Sequence, residues 1–191
     1  MDIKKHIPKP EFTPTYKLVD PSHKVMNEPP EKFDFKNPQM DPTELAESLN
    51  KHMQHFGGIG LSANQLGLPY RVFCMVGEPM HVCFNPVITG SGDEINMLDE
   101  GCLSWPGLYL KIKRPAAIRV RFQDYNGDMV VKKFAGMSAR VFQHEYEHLQ
   151  GEHFVEHVSR FALDRARQKQ AKTLNKVRKQ LRDANKKIQT R

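Results

Sequence analysis

The sequence predicts an α+β fold in which antiparallel β-sheets pack around one helix, with a basic helix at the C-terminus. Helical segments are expected over 42–56 and around His144, and several short β-rich segments lie between them. A further helix is expected over 159–191, where the composition favours helix and both Gly and Pro are missing. Segregation of strands and helices along a chain is typical of the α+β class.

Length and composition agree with a single domain. The chain has 191 residues, of which 39% are hydrophobic, enough to bury one core. No apolar run is long enough to span a bilayer, and the first residues lack the apolar segment of a signal peptide. The cysteines are odd in number and suggest no disulfide framework: Cys74, Cys83 and Cys102. We therefore expect a cytoplasmic protein without membrane contact.

Charge divides the chain into two parts, 1–158 and 159–191. The C-terminal part contains 12 Lys/Arg and 2 Asp/Glu, a net charge of +10, although the whole chain carries only +7. The body is therefore mildly acidic, with a net charge of −3. This asymmetry predicts a polyanionic partner for the C-terminal helix rather than for the body.

The first forty residues are expected to form an arm. They contain seven of the 13 prolines. Because proline lacks a backbone N–H and disfavours helix, 1–40 should be an extended arm wrapped on the body, or partly disordered.

A helix is expected to follow the arm, from Pro42 to Phe56. Asp41 is a suitable N-cap, and Pro42 suits the first helical position. An apolar stripe runs along the helix, and two glycines end it: Leu45, Leu49, Met53 and Phe56, then Gly57 and Gly58. His52 and His55 are interpreted as surface residues, because no acidic or sulfur partner stands at a matching offset.

Short strands are expected between the helices. The β-rich segments are 71–76, 81–84 and 108–113. Alternation on both sides of a turn signal, Asn126-Gly127, predicts a hairpin over 117–134.

The sequence Gln143-His144-Glu145-Tyr146-Glu147-His148 contains an H-E-x-x-H pattern. On a helix, His144 and His148 lie one turn apart, so their two neutral imidazoles can share a metal ion. Glu145 lies beside that face, where it can accept a proton from an attacking water. The pattern alone is weak evidence, because five-residue patterns recur by chance on solvated surface helices. The helix is expected to end before Gly151.

A third metal ligand is needed, and the sequence leaves alternatives. Metzincin-type endopeptidases place a histidine where this chain has Phe154, and His153, one residue early, is turned about 100° away on a helix. Glu152 and Glu156 are possible ligands but lie close in sequence. Cys102 is the better candidate, whereas the other two cysteines lie in apolar segments and are expected to pack in the core.

Three motifs occur in order along the chain. They are Gly58-Ile59-Gly60-Leu61-Ser62-Ala63-Asn64-Gln65, Glu100-Gly101-Cys102-Leu103-Ser104 and the H-E-x-x-H stretch. Together they resemble the motifs of the peptide deformylase family, over roughly 40–158. Three ordered motifs are far more specific than one. The resemblance implies that 1–158 is a catalytic domain that hydrolyses the N-formyl group of N-terminal formylmethionine on new polypeptides, releasing formate.

The resemblance also implies roles for individual residues. Cys102, His144 and His148 correspond to the metal ligands, and Glu145 corresponds to the general acid and base. Gln65 and the backbone N–H of Leu103 correspond to the oxyanion donors. The remaining residues are expected at the substrate or just behind the ligands: Ile59 and Gly60 as a pairing strand edge, Glu100 and Gly101 beside the metal, and Val141 and Trp105 around the methionine side chain.

The family's native metal is Fe²⁺, and Zn²⁺, Ni²⁺ or Co²⁺ can substitute. The expected partners are N-formylmethionyl nascent polypeptides, and the protein is expected to be a monomer. The ribosome is the expected partner of the basic C-terminal helix. An apolar seam on that helix repeats every three or four residues: Leu174, Val177, Leu181, Ala184 and Ile188.

The chain departs from the family pattern at Ser62, Glu147 and His153, where Ala, Asp and an apolar residue are usual. None of these changes removes a catalytic group. Two other functions stay open at this point. One is a metalloprotease that cuts internal bonds, and the other is a basic RNA-binding protein with a structural metal site, which would ordinarily need four protein ligands.

Overall fold

The structure is a computed structural model that describes residues 12–189, with side chains described through residue 182. Within that range the chain forms four α-helices, seven strands and two short 3₁₀ turns. The helices are α1 Lys24–Asn27, α2 Pro42–His55, α3 Gly136–His148 and α4 Arg160–Gln189. The strands are β1 Gly60–Ser62, β2 Val72–Met75, β3 His81–Ser91, β4 Ile95–Cys102, β5 Trp105–Pro115, β6 Ala117–Gln123 and β7 Met129–Ala135.

The strands form two antiparallel sheets, and α3 lies between them. One sheet has the order β1-β2-β3-β6-β7, and the other pairs β4 with β5. Helix α3 contacts four strands of the larger sheet and also β5. The predicted arrangement of antiparallel sheets around the helix of His144 is therefore confirmed.

Apolar packing holds α3 in place. Phe142 is fully buried and meets the ring of Phe73 edge to face, with centroids 5.0 Å apart. A separate cluster packs β5 against the start of α4: Leu108, Leu110, Ile112 and Phe154, with Leu163 and Ala166. Cys74 and Cys83 are fully buried, as expected of small core residues.

Helix α2 begins as predicted, but one of its histidines does not lie at the surface. The Asp41 carboxylate accepts hydrogen bonds from Thr43 N at 2.9 Å and Glu44 N at 3.0 Å. The prediction of a surface position is wrong for His52, which is 1% exposed. The N-terminal arm covers that face of α2, and Tyr16 N of the arm donates a hydrogen bond to His52 Nε2 at 3.0 Å.

The predicted strands are present at the expected positions, but the structure contains longer and additional strands. The 117–134 hairpin forms as β6 and β7, and β3 continues seven residues beyond the predicted end at Phe84. Strand β4 was not predicted, and β1 was expected only as the strand edge that the resemblance implies at Ile59 and Gly60. Cys102 lies between the predicted strands 81–84 and 108–113, and in the structure it ends β4 and pairs with Trp105 of β5.

The described part of the arm, 12–40, contacts the body, while 1–11 lie outside the described residues. Val19 N donates to Gln65 O at 2.9 Å, and Glu31 bridges to Tyr70. At the other end of the chain, Leu181 in the predicted seam of α4 is 60% exposed. Side chains of Ala184 and Ile188 lie outside the described part. None of the described helices combines the length and apolar character needed to cross a membrane.

Candidate active site

Three side chains from two elements converge beside α3. Cys102 comes from the end of β4, and His144 and His148 come from α3. One donor atom of each lies within 4.8 Å of the others. The Cys102 Sγ and His148 Nε2 atoms are 3.2 Å apart. Among the described residues this is the one group of three His, Cys, Asp or Glu side chains with metal-ligand spacing, and Glu152 and Glu156 are not part of it.

The donor set fits a divalent transition metal ion. One sulfur and two imidazole nitrogens suit zinc or iron, and three protein ligands leave a coordination position for water or substrate. Burial lowers the pKa of His148 well below its usual value, which keeps that imidazole neutral and able to donate a lone pair. Cys102, His144 and His148 therefore fit the divalent metal ion that the sequence implies.

A carboxylate orients the first histidine ligand. Glu100 Oε2 accepts from His144 Nδ1 at 3.2 Å, which turns His144 Nε2 toward Cys102. Arg114 donates to both Glu100 oxygens, from Nε at 2.6 Å and from Nη2 at 2.9 Å, and Arg140 donates to Oε1 as well. Burial opposes the charge on Glu100, but hydrogen bonds from His144 and Arg114 lower its pKa to about 2.

This ion network contains residues that the sequence reasoning missed. Arg114 is 3% exposed and also donates to Glu147 Oε2 at 2.8 Å. A signal existed, because Leu108, Leu110 and Ile112 occupy the inward positions of β5 and Arg114 continues that alternation. An arginine at an inward strand position predicts a buried acidic partner. Arg140 lies one turn before His144 on α3, a spacing that also brings it to the site.

Glu145 is buried next to the ligands. It is 4% exposed, and burial raises its pKa to about 7. Its Oε2 atom has no hydrogen-bond partner among the described residues. A Cβ on Gly60 would lie 2.5 Å from Glu145 Oε1 and 2.8 Å from Val141 Cγ1, so the backbone of β1 approaches this carboxylate closely. The carboxyl group is therefore held at the site with a pKa suited to moving protons near neutral pH.

Gln65 has one fixed amide orientation. Its Oε1 accepts from Ser62 N at 3.0 Å and from Ser62 Oγ at 3.1 Å. Its Nε2 therefore faces the ligands, 3.4 Å from Cys102 Sγ, and donates to Ser104 Oγ at 3.0 Å. The side chain presents N–H donors to the position where substrate would meet the metal.

A pocket of about 560 Å³ opens over these groups. Most of the predicted site residues line it: Ile59, Gly60, Gln65, Glu100, Gly101, Cys102, Leu103, Val141, His144 and Glu145. His148 and Trp105 do not line it. The Trp105 ring stacks on His148 at 6.4 Å and meets Phe154 edge to face at 5.6 Å, behind the ligands. Sequence reasoning missed Leu18, Tyr109 and Met137 at the pocket rim.

The fold and the site together define a class: an α+β hydrolase with an H-E-x-x-H helix held between antiparallel sheets and a cysteine from a strand end beside it. The sequence profile of the family described as Polypeptide deformylase matches residues 15–163. The chain therefore belongs to the peptide deformylase family. Its reaction is the hydrolysis of the N-formyl group from N-terminal formylmethionine of newly made polypeptides, which decides against both alternative functions.

Relatives and solved structures agree with this assignment. A peptide deformylase of Novosphingobium aromaticivorans is 33% identical over 187 residues, covering 85% of this chain and 95% of the relative. One of Brucella suis is 34% identical over 153 residues, covering 77% and 85%. The crystal structure of a Synechococcus elongatus peptide deformylase in complex with actinonin has a TM-score of 0.77 at 30% identity, covering 83% of this chain and 89% of that one.

Proposed function

We propose that this chain performs deformylation with one divalent metal ion held by Cys102, His144 and His148. The observation that supports this most directly is the convergence of their donor atoms within 4.8 Å of one another, beside the pocket that Cys102 and His144 line. By family resemblance the ion is Fe²⁺, with Zn²⁺, Ni²⁺ or Co²⁺ as substitutes. A bound ion of this kind supplies a Lewis acid and lowers the pKa of water from 15.7 to about 7.

Glu145 moves the protons. Its carboxylate accepts a proton from the attacking water and later donates it to the leaving amine. Its burial and the close backbone of Gly60 keep the carboxyl group in place during both transfers. Glu100, anchored by Arg114, holds His144 in the tautomer that leaves Nε2 for the metal.

Gln65 and the backbone N–H of Leu103 stabilise the oxyanion that develops on the formyl oxygen. The Ser62 hydrogen bonds aim the Gln65 N–H group before substrate arrives, so little reorganisation is needed in the transition state. Leu103 directly follows the ligand Cys102 at the end of β4, so its N–H group adjoins the metal position.

Two strand edges hold the substrate backbone. Strand β1 ends one sheet and hydrogen-bonds to β2, and Ile59 and Gly60 face the pocket at its start. Gly101 of β4 faces the same pocket from the other sheet. Val141, one turn before His144 on α3, gives the methionine side chain an apolar wall. Trp105 supports His148 from behind instead of touching substrate.

Release of methionyl amine from a formyl-Met tripeptide tests this proposal. Protein loaded anaerobically with Fe²⁺ should release it rapidly, and Glu145→Ala with equal metal content should not. No release from metal-loaded wild-type protein would refute the proposal. Equal rates in the two proteins would remove Glu145 from the role assigned to it.

The basic helix α4 is proposed to bring the enzyme, as a cytoplasmic monomer, to the ribosome. The three cysteines are unpaired, in keeping with a reducing compartment. Lys and Arg residues are numerous along α4. In the first half of this helix, Gln170 Nε2 donates a hydrogen bond to Pro106 O at 2.7 Å. Deleting 174–191 keeps that contact and removes the whole apolar seam together with seven of the twelve Lys/Arg residues of 159–191. Ribosome binding should then weaken and lose salt dependence, while turnover of a free tripeptide is preserved. Unchanged binding would reject this role.

A further inference from the structure

Three buried polar atoms around His148 have no hydrogen-bond partner among the described residues. They are His148 Nδ1, His153 Nδ1 and Asn64 Oδ1. The three residues are 1%, 6% and 0% exposed. Buried polar groups in folded proteins are almost always paired with protein or with ordered water. Three unpaired atoms on neighbouring side chains therefore point to a shared partner.

The three side chains are neighbours. Asn64 Nδ2 donates to the backbone oxygen of His148 at 2.6 Å, so the Asn64 amide lies against the last turn of α3. The ring centroids of His148 and His153 are 5.8 Å apart. Trp105 covers both imidazoles, with its ring stacked on His148 and edge to face with His153 at 4.9 Å. The three side chains are buried together behind the proposed metal site.

The known contacts assign the hydrogens. His153 Nε2 lies 3.2 Å from Asn27 Oδ1, and Asn27 Nδ2 donates to Pro21 O at 2.8 Å, which fixes the Asn27 amide. His153 Nε2 therefore carries the hydrogen, and its Nδ1 offers a lone pair. Asn64 Oδ1 also accepts. Because His148 directs Nε2 toward Cys102, its Nδ1 carries a hydrogen and donates.

One donor and two acceptors match a single water molecule. We propose that one ordered water is bound here, accepting from His148 Nδ1 and donating to His153 Nδ1 and Asn64 Oδ1. Three hydrogen bonds are typical of a buried water. A cation does not fit, because the His148 N–H group points into the site.

The bound water makes His153 and Asn64 positioning residues for His148, as Glu100 is for His144. Partners of this kind orient a metal-ligating imidazole, and their loss commonly costs 10- to 100-fold in metal affinity. The metal part of this inference rests on the proposed function, because it requires His148 to be a ligand. The water site itself depends on the three described side chains alone.

A matched pair of variants at His153 tests the inference. His153→Asn keeps an acceptor at the position of Nδ1, and His153→Leu has nearly the same size without one. Both lose the contact to Asn27, so their difference isolates the water contact. Zn²⁺ affinity is measured by chelator competition, the Co²⁺ absorption spectrum reports ligand geometry, and thermal unfolding of the metal-free proteins reports any purely structural loss.

We expect His153→Leu to bind Zn²⁺ about 10- to 100-fold more weakly than wild type and to change the Co²⁺ spectrum. His153→Asn should recover most of that affinity. Equal affinities in wild type and the Leu variant, or equal losses in both variants, would overturn the positioning role. A high-resolution crystal structure of the wild type without a water between these atoms would overturn the site itself. Failure of wild-type protein to bind metal would instead refute the proposed function.

Discussion

Gln65 is the residue whose proposed role is most sharply testable. Its N–H group is aimed at the site by Ser62, whose N and Oγ both donate to Gln65 Oε1. Such a preorganised donor acts on charge that develops only in the transition state. Removing one comparable oxyanion donor costs on the order of 10²–10³ in kcat, or about 2.7–4 kcal/mol. We therefore expect Gln65→Ala to lower kcat by that factor.

The KM should change little in Gln65→Ala, because an interaction made only in the transition state lowers kcat and kcat/KM together. Ser62→Ala is the matched control. It keeps the bond from the Ser62 backbone N–H group and removes only the hydroxyl, a loss of about 0.5–1.5 kcal/mol. Its kcat should therefore fall by about tenfold or less.

Steady-state kinetics on a formyl-Met tripeptide checks this expectation. Gln65 Nε2 also lies 3.4 Å from Cys102 Sγ, so metal content must be measured in each variant and rates expressed per bound metal. A Gln65→Ala enzyme that keeps its kcat within about threefold, well short of the 10²-fold loss expected for an oxyanion donor, would refute the reasoning. A loss confined to KM would reassign Gln65 to ground-state binding of the substrate.

Three further predictions concern packing, charge and metal. Gly60→Ala should lower kcat/KM about 10²-fold in the same assay, since its Cβ would lie 2.5 Å from Glu145 Oε1 and displace the carboxylate. Arg114→Met should cost about 3–5 kcal/mol in denaturant unfolding, because buried carboxylates lose their partner. Lys111→Met, which breaks an exposed pair with Asp99, should cost less than about 1 kcal/mol, and equal costs would contradict this account. Adding metal at 100 times its Kd should stabilise the metal-free protein by about 2.7 kcal/mol, seen as a rise in Tm that chelator reverses.

Much of the candidate site followed from local sequence. The spacing of His144 and His148 places both imidazoles on one face of any helix, and the neighbouring Glu145 follows from the same geometry. Cys102 needed the ordered motifs as well, because its partners lie 42 and 46 residues away in sequence. The rim residues Leu18 and Tyr109 were missed, since each reaches the pocket only after the arm and β5 have packed.

The two buried arginines at the site show a different limit of prediction from sequence. The sequence reasoning assigned no role to Arg114 or Arg140, because a lone arginine is seldom buried. Both are buried here, since each finds Glu100 across the molecule. The alternation of β5 marks Arg114 as inward-facing. It does not show that Glu100, on another strand, is the partner that makes the burial of this charge possible.

Local sequence patterns were enough to predict the α+β class, the ends of α2, the β6–β7 hairpin and the family of the chain. These features depend on short-range periodicity, on caps and turns, and on motif spacing. Long-range packing buries His52, places Cys102 at a strand end and puts Trp105 behind the ligands, and no local pattern indicates any of this. The same packing also brings His153 and Asn64 to His148. These facts depend on which distant segments cover each face, and long-range packing settles that.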